Sequence, residues 1–203
     1  MNRLELPSLH NESEVMRLCL IGKILSTRNF STSVVKIIAD KAWKLNFLVF
    51  VRKMDRNLFL FTFEHEADLN AIFQMRPWTF HDAHLVLKTW NPELIWNEVD
   101  FSALVLWVQL HGLPFLWQNK PSLLRIGNKF GKVVEVDLSG ESQPRWSRFI
   151  RIRVKVEVSK LLWPGFFLPR KDLSEFWIGF KYECLPALCY KCGILSHDSV
   201  ECN

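Results

Sequence analysis

Apolar residues recur along the first half of the chain in alternating short rhythms. Val15 to Ile24 is β-like and ends near Gly22. Ser31 to Trp43 opens on Ser/Thr capping candidates and spaces Val34, Val35, Ile38 and Ala42 as one helix face. Phe47 to Val51 and Leu58 to Phe63 predict strands separated by a polar turn over Arg52 to Asn57. Glu64 to Met75 then reads as a helix with Ala67, Ala71 and Ile72 inward and Pro77 beyond its end, and Leu85 to Trp90 closes the unit as a strand.

The resulting order, β-α-β-β-α-β, is the ferredoxin-like arrangement that RNA-recognition motifs also use. In such motifs the third strand presents aromatic rings to bases from the third and fifth positions of a conserved octet. Aligned on Phe63, those positions here hold Leu58 and Leu60, while Phe59, Phe61 and Phe63 point to the other face as core. Leucines do not stack on bases as aromatic rings do, so this face is expected to be covered by another part of the chain or by a partner.

Beyond a linker expected at Asn91 to Ala103, a second α+β unit begins. Leu104, Leu106, Val108 and Leu110 alternate with Trp107 and Gln109, the period of a half-buried strand. The turn His111 to Pro114 ends it, Ser122 to Phe130 is helix-like, Gly131 stops that helix, and Lys132 to Leu138 is a strand. In Phe149 to Val158, Ile150, Ile152, Val154, Val156 and Val158 share one side and Arg151, Arg153, Lys155 and Glu157 the other. Phe166 to Tyr182, with Phe176, Ile178 and Phe180 alternating, supplies the last strand.

Charge sharpens this picture in one place. The chain carries 26 basic and 21 acidic residues, a net +5 that decides little by itself. Arg145 to Lys155, however, holds Arg145, Arg148, Arg151, Arg153 and Lys155 and no acid. Cations at alternate strand positions lie about 7 Å apart, comparable to successive phosphates on one strand of nucleic acid. The face reads equally as a phosphate-binding surface or as an ordinary solvated one.

The densest chemistry is at the C-terminus. Cys189, Cys192, His197 and Cys202 are spaced C-x2-C-x4-H-x4-C, the order and spacing of a zinc knuckle. Gly193 permits the positive φ that a tight thiolate turn requires. Three thiolates and an imidazole fill a tetrahedron, so one structural Zn2+ is expected and a catalytic one is not. So short a segment draws its folding free energy from the metal. Cys19 and Cys184 are assigned to packing.

Length and composition set the remaining bounds. With 49% hydrophobic residues over 203 positions, the chain can bury one large or two modest cores. No apolar run approaches the roughly 20 residues of a membrane helix, and Met1 to Glu14 lacks a signal-peptide pattern. Nucleus or cytoplasm is therefore expected, with reduced cysteines and neither secretion nor membrane insertion. No nucleophile elbow, phosphate-binding loop, H-E-x-x-H or dinucleotide motif is present, and His81 and His84 read as loop histidines, so neither an enzyme nor a small-molecule substrate is expected.

The knuckle resembles those of retroviral nucleocapsid and retroelement Gag-like proteins. Tyr182-Glu-Cys-Leu-Pro186 leading into Cys189-Tyr-Lys-Cys192-Gly193 resembles a large plant family that joins a domain of unknown function to a CCHC knuckle. Asn57-Leu-Phe-Leu-Phe61, Pro77-Trp-Thr-Phe80, Trp107 to Pro114 and Val154 to Lys160 are similar to that family too, so the resemblance spans almost the whole chain from about Val15. Its members are similar to the first open reading frame product of LINE-type retrotransposons, which implies binding of single-stranded RNA or DNA.

Two departures bear on that implication. Ser196 stands where a second glycine is usual, and Asp198 and Glu201 lie between His197 and Cys202. From Tyr182 to Asn203 the only cation is Lys191, against Glu183, Asp198 and Glu201, so the knuckle itself is a poor phosphate binder. Tyr190, with Ile194 and Leu195 beside it, either stacks on an unpaired base or packs the knuckle's small core, and Lys191 and Leu195 join it as candidate contacts. Phosphate contacts are then assigned to Arg148, Arg151, Arg153 and Lys155.

The expected organisation is a tail at 1–14, a ferredoxin-like domain at 15–90, a linker at 91–103, a second α+β unit with the basic strand at 104–181 and the knuckle at 182–203. The expected function is zinc-dependent binding of single-stranded nucleic acid. Protein–protein interaction or self-association is the alternative. The chain's end one residue past Cys202 suggests a truncated or domesticated element.

Overall fold

The computed structural model describes residues 17–138, 148–185, 188–189, 191–195 and 202. The chain is mixed α+β, carries two five-stranded antiparallel sheets and divides into two compact units. No helix among the described residues is long and apolar enough to cross a membrane.

The first sheet comprises β1 (Cys19–Leu25), β2 (Val49–Asp55), β3 (Leu58–Phe63), β4 (Trp78–Phe80) and β5 (Ala83–Thr89), ordered β2-β3-β1-β5-β4. Helix α1 (Thr32–Trp43) follows β1 and α2 (Glu66–Gln74) follows β3. The expected element order therefore holds through the second helix. It closes on a two-strand hairpin rather than a single strand, because Trp78 to Phe80 pairs as a short edge strand. His81 takes a positive φ in the turn, and His84 lies buried inside β5 rather than in a loop.

Each helix begins where a side chain caps it: the Ser31 hydroxyl accepts from Val34 N–H, and the His65 ring accepts from Ala67 N–H. The inward faces differ from those expected. On α1 the buried residues are Val35, Ala39 and Trp43, with Val34 and Ala42 exposed. Trp43 sets this rotation, its indole stacking on Phe63 at 5.9 Å and tilting against Phe61 at 5.1 Å. On α2, Asp68, Leu69 and Ile72 are buried while Ala67 and Ala71 are exposed. Asp68 turns inward because its carboxylate accepts from the backbone N–H groups of Asn46 and Phe47 at 3.1 and 2.9 Å.

Phe59, Phe61 and Phe63 are core, as their alternation implies, and Leu58 is buried with Leu60 half-buried. The polar stretch Arg52 to Asp55 is strand, not turn, since β2 is an edge strand whose polar side chains reach solvent. The turn is only Arg56–Asn57. Asn57 has φ 56° and is 3% exposed; its amide donates to the carbonyls of Ser26 and Arg28 and accepts from Phe30 N–H.

The second sheet comprises β6 (Ala103–His111), β7 (Lys132–Asp137), β8 (Phe149–Glu157), β9 (Gly165–Arg170) and β10 (Leu173–Tyr182), ordered β7-β8-β6-β10-β9. Counted in chain order within its own unit, each sheet reads 2-3-1-5-4, so the two share one strand order. In each, a helix joins the first strand to the second. In the second unit the residues between β8 and β9 form no helix.

Leu104, Leu106, Val108 and Leu110 on β6 and Ile152, Val154 and Val156 on β8 form the core, matching their alternation. Helix α3 (Lys120–Gly127) covers this face, starting two residues earlier than expected because the Asn119 side chain accepts from Ser122 N–H ahead of Pro121. Gly127 lets the helix approach closely: a β-carbon there would stand 2.8 Å from Ile152 Cδ1 and closer still to Val133 Cγ2.

Candidate metal centre and open sheet face

The zinc-ligand spacing brings three sulfurs together. The Sγ atoms of Cys189, Cys192 and Cys202 lie within 4.8 Å of one another. Thiolates at about 2.3 Å from a tetrahedral zinc stand roughly 3.8 Å apart, so the cluster is already close to the required geometry. His197, the fourth donor by sequence order, and Tyr190 fall outside the described residues.

Local backbone explains the convergence. Gly193 adopts φ 70°, as its position after the second Cys implies, and its N–H donates to the Cys189 carbonyl. Cys189 N–H donates to the Ile194 carbonyl at 3.0 Å, closing the turn around the sulfurs. Desolvation acts to raise the Cys189 thiol. Hydrogen bonds from the backbone N–H groups of Cys192 and Lys191 and from the Cys192 and Cys202 thiols outweigh it and hold the pKa at about 6. Cys202, hydrogen-bonded to Cys189 and desolvated, is pushed up to about 11. Binding a metal ion at such a cluster displaces the thiol protons.

The knuckle does not stand apart from its unit. Leu162 N–H donates to the Gly193 carbonyl at 3.1 Å, a β-carbon on Gly193 would collide with Leu161, and Cys189 and Leu195 are fully buried. Leu195 thus packs inward instead of offering a contact surface, while Lys191 is exposed.

The face of the second sheet opposite α3 carries the expected basic strand, but its cations differ from one another. Arg151 is held by Asp137 at 2.7 Å and Glu183 at 3.6 Å, and these partners raise its pKa further, the hydrogen bond to Asp137 most. Arg153 is 5% exposed and bridges to Glu135 at 3.4 Å. Both guanidinium groups lie over the Trp107 ring, at 4.7 and 5.6 Å from its centroid. Gln109 extends the network, donating to Glu183 and meeting His111. The two central arginines of the expected phosphate surface are therefore engaged within the fold. Lys155 and Arg148 are exposed, as are Lys132 on β7 and Lys181 on β10, which the sequence reading did not single out.

A β-bulge makes the acidic partners available. Val133 pairs with Val154 and faces α3, whereas Glu135, two residues on, pairs with Arg153 on the opposite face. The intervening irregularity inverts the alternation and aims Glu135 and Asp137 at the arginines.

A family model described as a zinc knuckle matches residues 172–203. Another, described as a domain of unknown function (DUF4283), matches residues 12–98. The uncharacterized protein At4g02000 of Arabidopsis thaliana is 25% identical over 139 residues, covering 66% of this chain and 42% of that protein. The chain thus spans less than half of that relative's length. No solved structure matches. The knuckle match and the three-thiol cluster together identify the C-terminal segment as a zinc-binding domain.

Proposed function

We propose that the protein is a non-enzymatic, zinc-dependent binder of single-stranded RNA or DNA, with one structural Zn2+ held by Cys189, Cys192, His197 and Cys202. The observation that carries this reading is the zinc-knuckle match over residues 172–203 joined to the cluster of three thiols. The metal supplies coordination chemistry and folding free energy; recognition belongs to the side chains around it. Lys191 offers an exposed cation on the knuckle, and the exposed Arg148, Lys155, Lys132 and Lys181 offer phosphate contacts on the second unit. Arg151 and Arg153 orient the face through Trp107 and their carboxylates rather than meeting phosphate directly. The resemblance to Gag-like retroelement products points the same way.

Competition between single-stranded and duplex RNA of one sequence, followed by anisotropy over a salt series, tests this reading. Single strands should win, and affinity should fall with salt. Equal binding of the duplex or a flat salt response would contradict it.

A second reading, assembly with another protein or a second copy, is favoured by one observation. Phe47, Leu48 and Phe50, around the edge strand β2, are exposed, as are Val34 and Ile37 on α1. Sedimentation at rising protein concentration separates the two readings.

A further inference from the structure

The β9–β10 side of the second sheet carries aromatic surface that neither the zinc centre nor the arginine network uses. Trp177 on β10 pairs across the sheet with Phe167 on β9, and one pleat further on Gly179 pairs with Gly165. These four residues lie on the face that also carries Gln109 and Lys181, as the pairing of Lys181 with Gln109 fixes.

The two glycines form a bare floor, and the indole lies on it. A β-carbon on Gly165 would stand 2.6 Å from Trp177 Cζ2 and 2.9 Å from Cε2, and one on Gly179 would stand 3.5 Å from Nε1. Gly165, at φ 155°, also has a backbone conformation that L side chains rarely adopt. Phe167 meets the indole edge-on, with centroids 4.9 Å apart and ring planes at 63°. With one surface against the glycines and one edge against Phe167, Trp177 is still 43% exposed, so it presents ring surface to solvent. Phe167 is 61% exposed beside it.

Adjoining exposed aromatic rings on an otherwise polar sheet face mark an interaction site. Charge complementarity selects its occupant. Lys181, exposed and one pleat beyond Gly179 on the same face, supplies a cation at that end, whereas Glu183 is already bound to Gln109 and Arg151 and the exposed Glu175 lies on β10 at the other end, two residues before Trp177. A planar group that carries a phosphate next to it fits both features. Phe167 lies against the indole on the neighbouring strand and Lys181 follows Gly179 along β10 on the same face, an order that suits one base with its phosphate directed toward the Lys181 end.

We propose that Trp177 is a stacking platform for an unpaired base of single-stranded nucleic acid, walled by Phe167, with the Lys181 ammonium meeting the adjacent phosphate. This rests on the proposed function and deepens it by assigning the base contact to the second sheet in addition to the knuckle.

The test is anisotropy of a short fluorescein-labelled oligouridylate with zinc-loaded, full-length protein. Base stacking on an aromatic side chain is worth about 1–3 kcal/mol, so Trp177→Ala should weaken binding roughly fivefold to 150-fold. The salt slope should stay unchanged, because an indole displaces no counterions. Trp177→Phe should keep most of the affinity. Lys181→Gln should instead reduce the salt slope by about 0.7, the single-strand value for one phosphate. Photo-crosslinking of wild-type protein to an oligomer carrying 5-iodouridine guards against a folding defect in the variants, and the crosslink should map within residues 165–181.

Wild-type binding that Trp177→Ala leaves intact, or crosslinks confined to other segments, overturns the platform while leaving the broader function standing. Absence of any single-strand binding by the wild type overturns both. Loss of self-association in Trp177→Ala with unchanged oligouridylate binding reassigns the ring to a protein contact and likewise overturns the proposal.

Discussion

Asn57 offers the sharpest test of how the first unit is held together. Its side chain is 3% exposed and makes three hydrogen bonds, to Ser26 O at 2.9 Å, Arg28 O at 2.7 Å and from Phe30 N–H at 3.0 Å. These tie the segment between β1 and α1 to the hairpin turn between β2 and β3. Asn57→Ala removes all three and leaves two carbonyls and one N–H without that partner. At about 1 kcal/mol for each bond, with roughly a further 1 kcal/mol for placing alanine at φ 56°, the loss is about 4 kcal/mol. Every 1.4 kcal/mol is a factor of ten, so amide exchange in the first-unit core should accelerate by nearly three orders of magnitude. Hydrogen exchange read by mass spectrometry on peptides within residues 19–63 measures this locally. Asn57→Gly isolates the backbone share: it relieves the positive φ, loses the same bonds, and should be less damaging than alanine. Core exchange in Asn57→Ala within threefold of wild type would refute the reasoning.

Three further outcomes are expected. Burial lowers the pKa of His84 from 6.5 to about 4, so the unfolded chain binds the proton more readily between those values. Its contribution is fully present above pH 6.5 and is lost as pH falls, by about 3 kcal/mol near pH 4; urea midpoints should show this acid limb, and His84→Leu should flatten it. Gly127→Leu should destabilise the second unit by more than 2 kcal/mol through overpacking against Val133 and Ile152, read by exchange in β8 peptides. Arg151→Gln should leave the salt slope of oligouridylate binding nearly unchanged, because Asp137 and Glu183 already neutralise that guanidinium, whereas Lys155→Gln should lower it.

Much of this structure was legible in the residues. The alternation of Leu104 to Leu110 and of Phe59 to Phe63 identified buried strand faces, because a two-residue period has only one way to place its apolar side. The cysteine spacing anticipated the cluster of three thiols, because a tetrahedral ion needs its ligands gathered from short spacings. Helix faces were less legible: α1 carries apolar residues around more than half its girth, and only the stacking of Trp43 on Phe61 and Phe63 selects Val35 and Ala39 over Val34 and Ala42.

What escaped the sequence depends on pairing between strands. An acid-free run at Arg145 to Lys155 looked open to phosphate because its acids, Glu135, Asp137 and Glu183, arrive from β7 and the end of β10. The bulge that aims Glu135 at Arg153 leaves no compositional mark. Nor does the pairing of Gly165 with Gly179, which creates the floor beneath Trp177. The strand order shared by the two sheets was hidden because the second lacks the helix between its third and fourth strands.

The most direct measurement is a zinc titration of metal-free protein in the presence of labelled single-stranded RNA. Anisotropy should rise with each addition and stop at one equivalent of zinc, and Cys192→Ser should abolish the rise. RNA binding that is complete before any zinc is added, or absent at saturation, would contradict a zinc-dependent nucleic-acid binder.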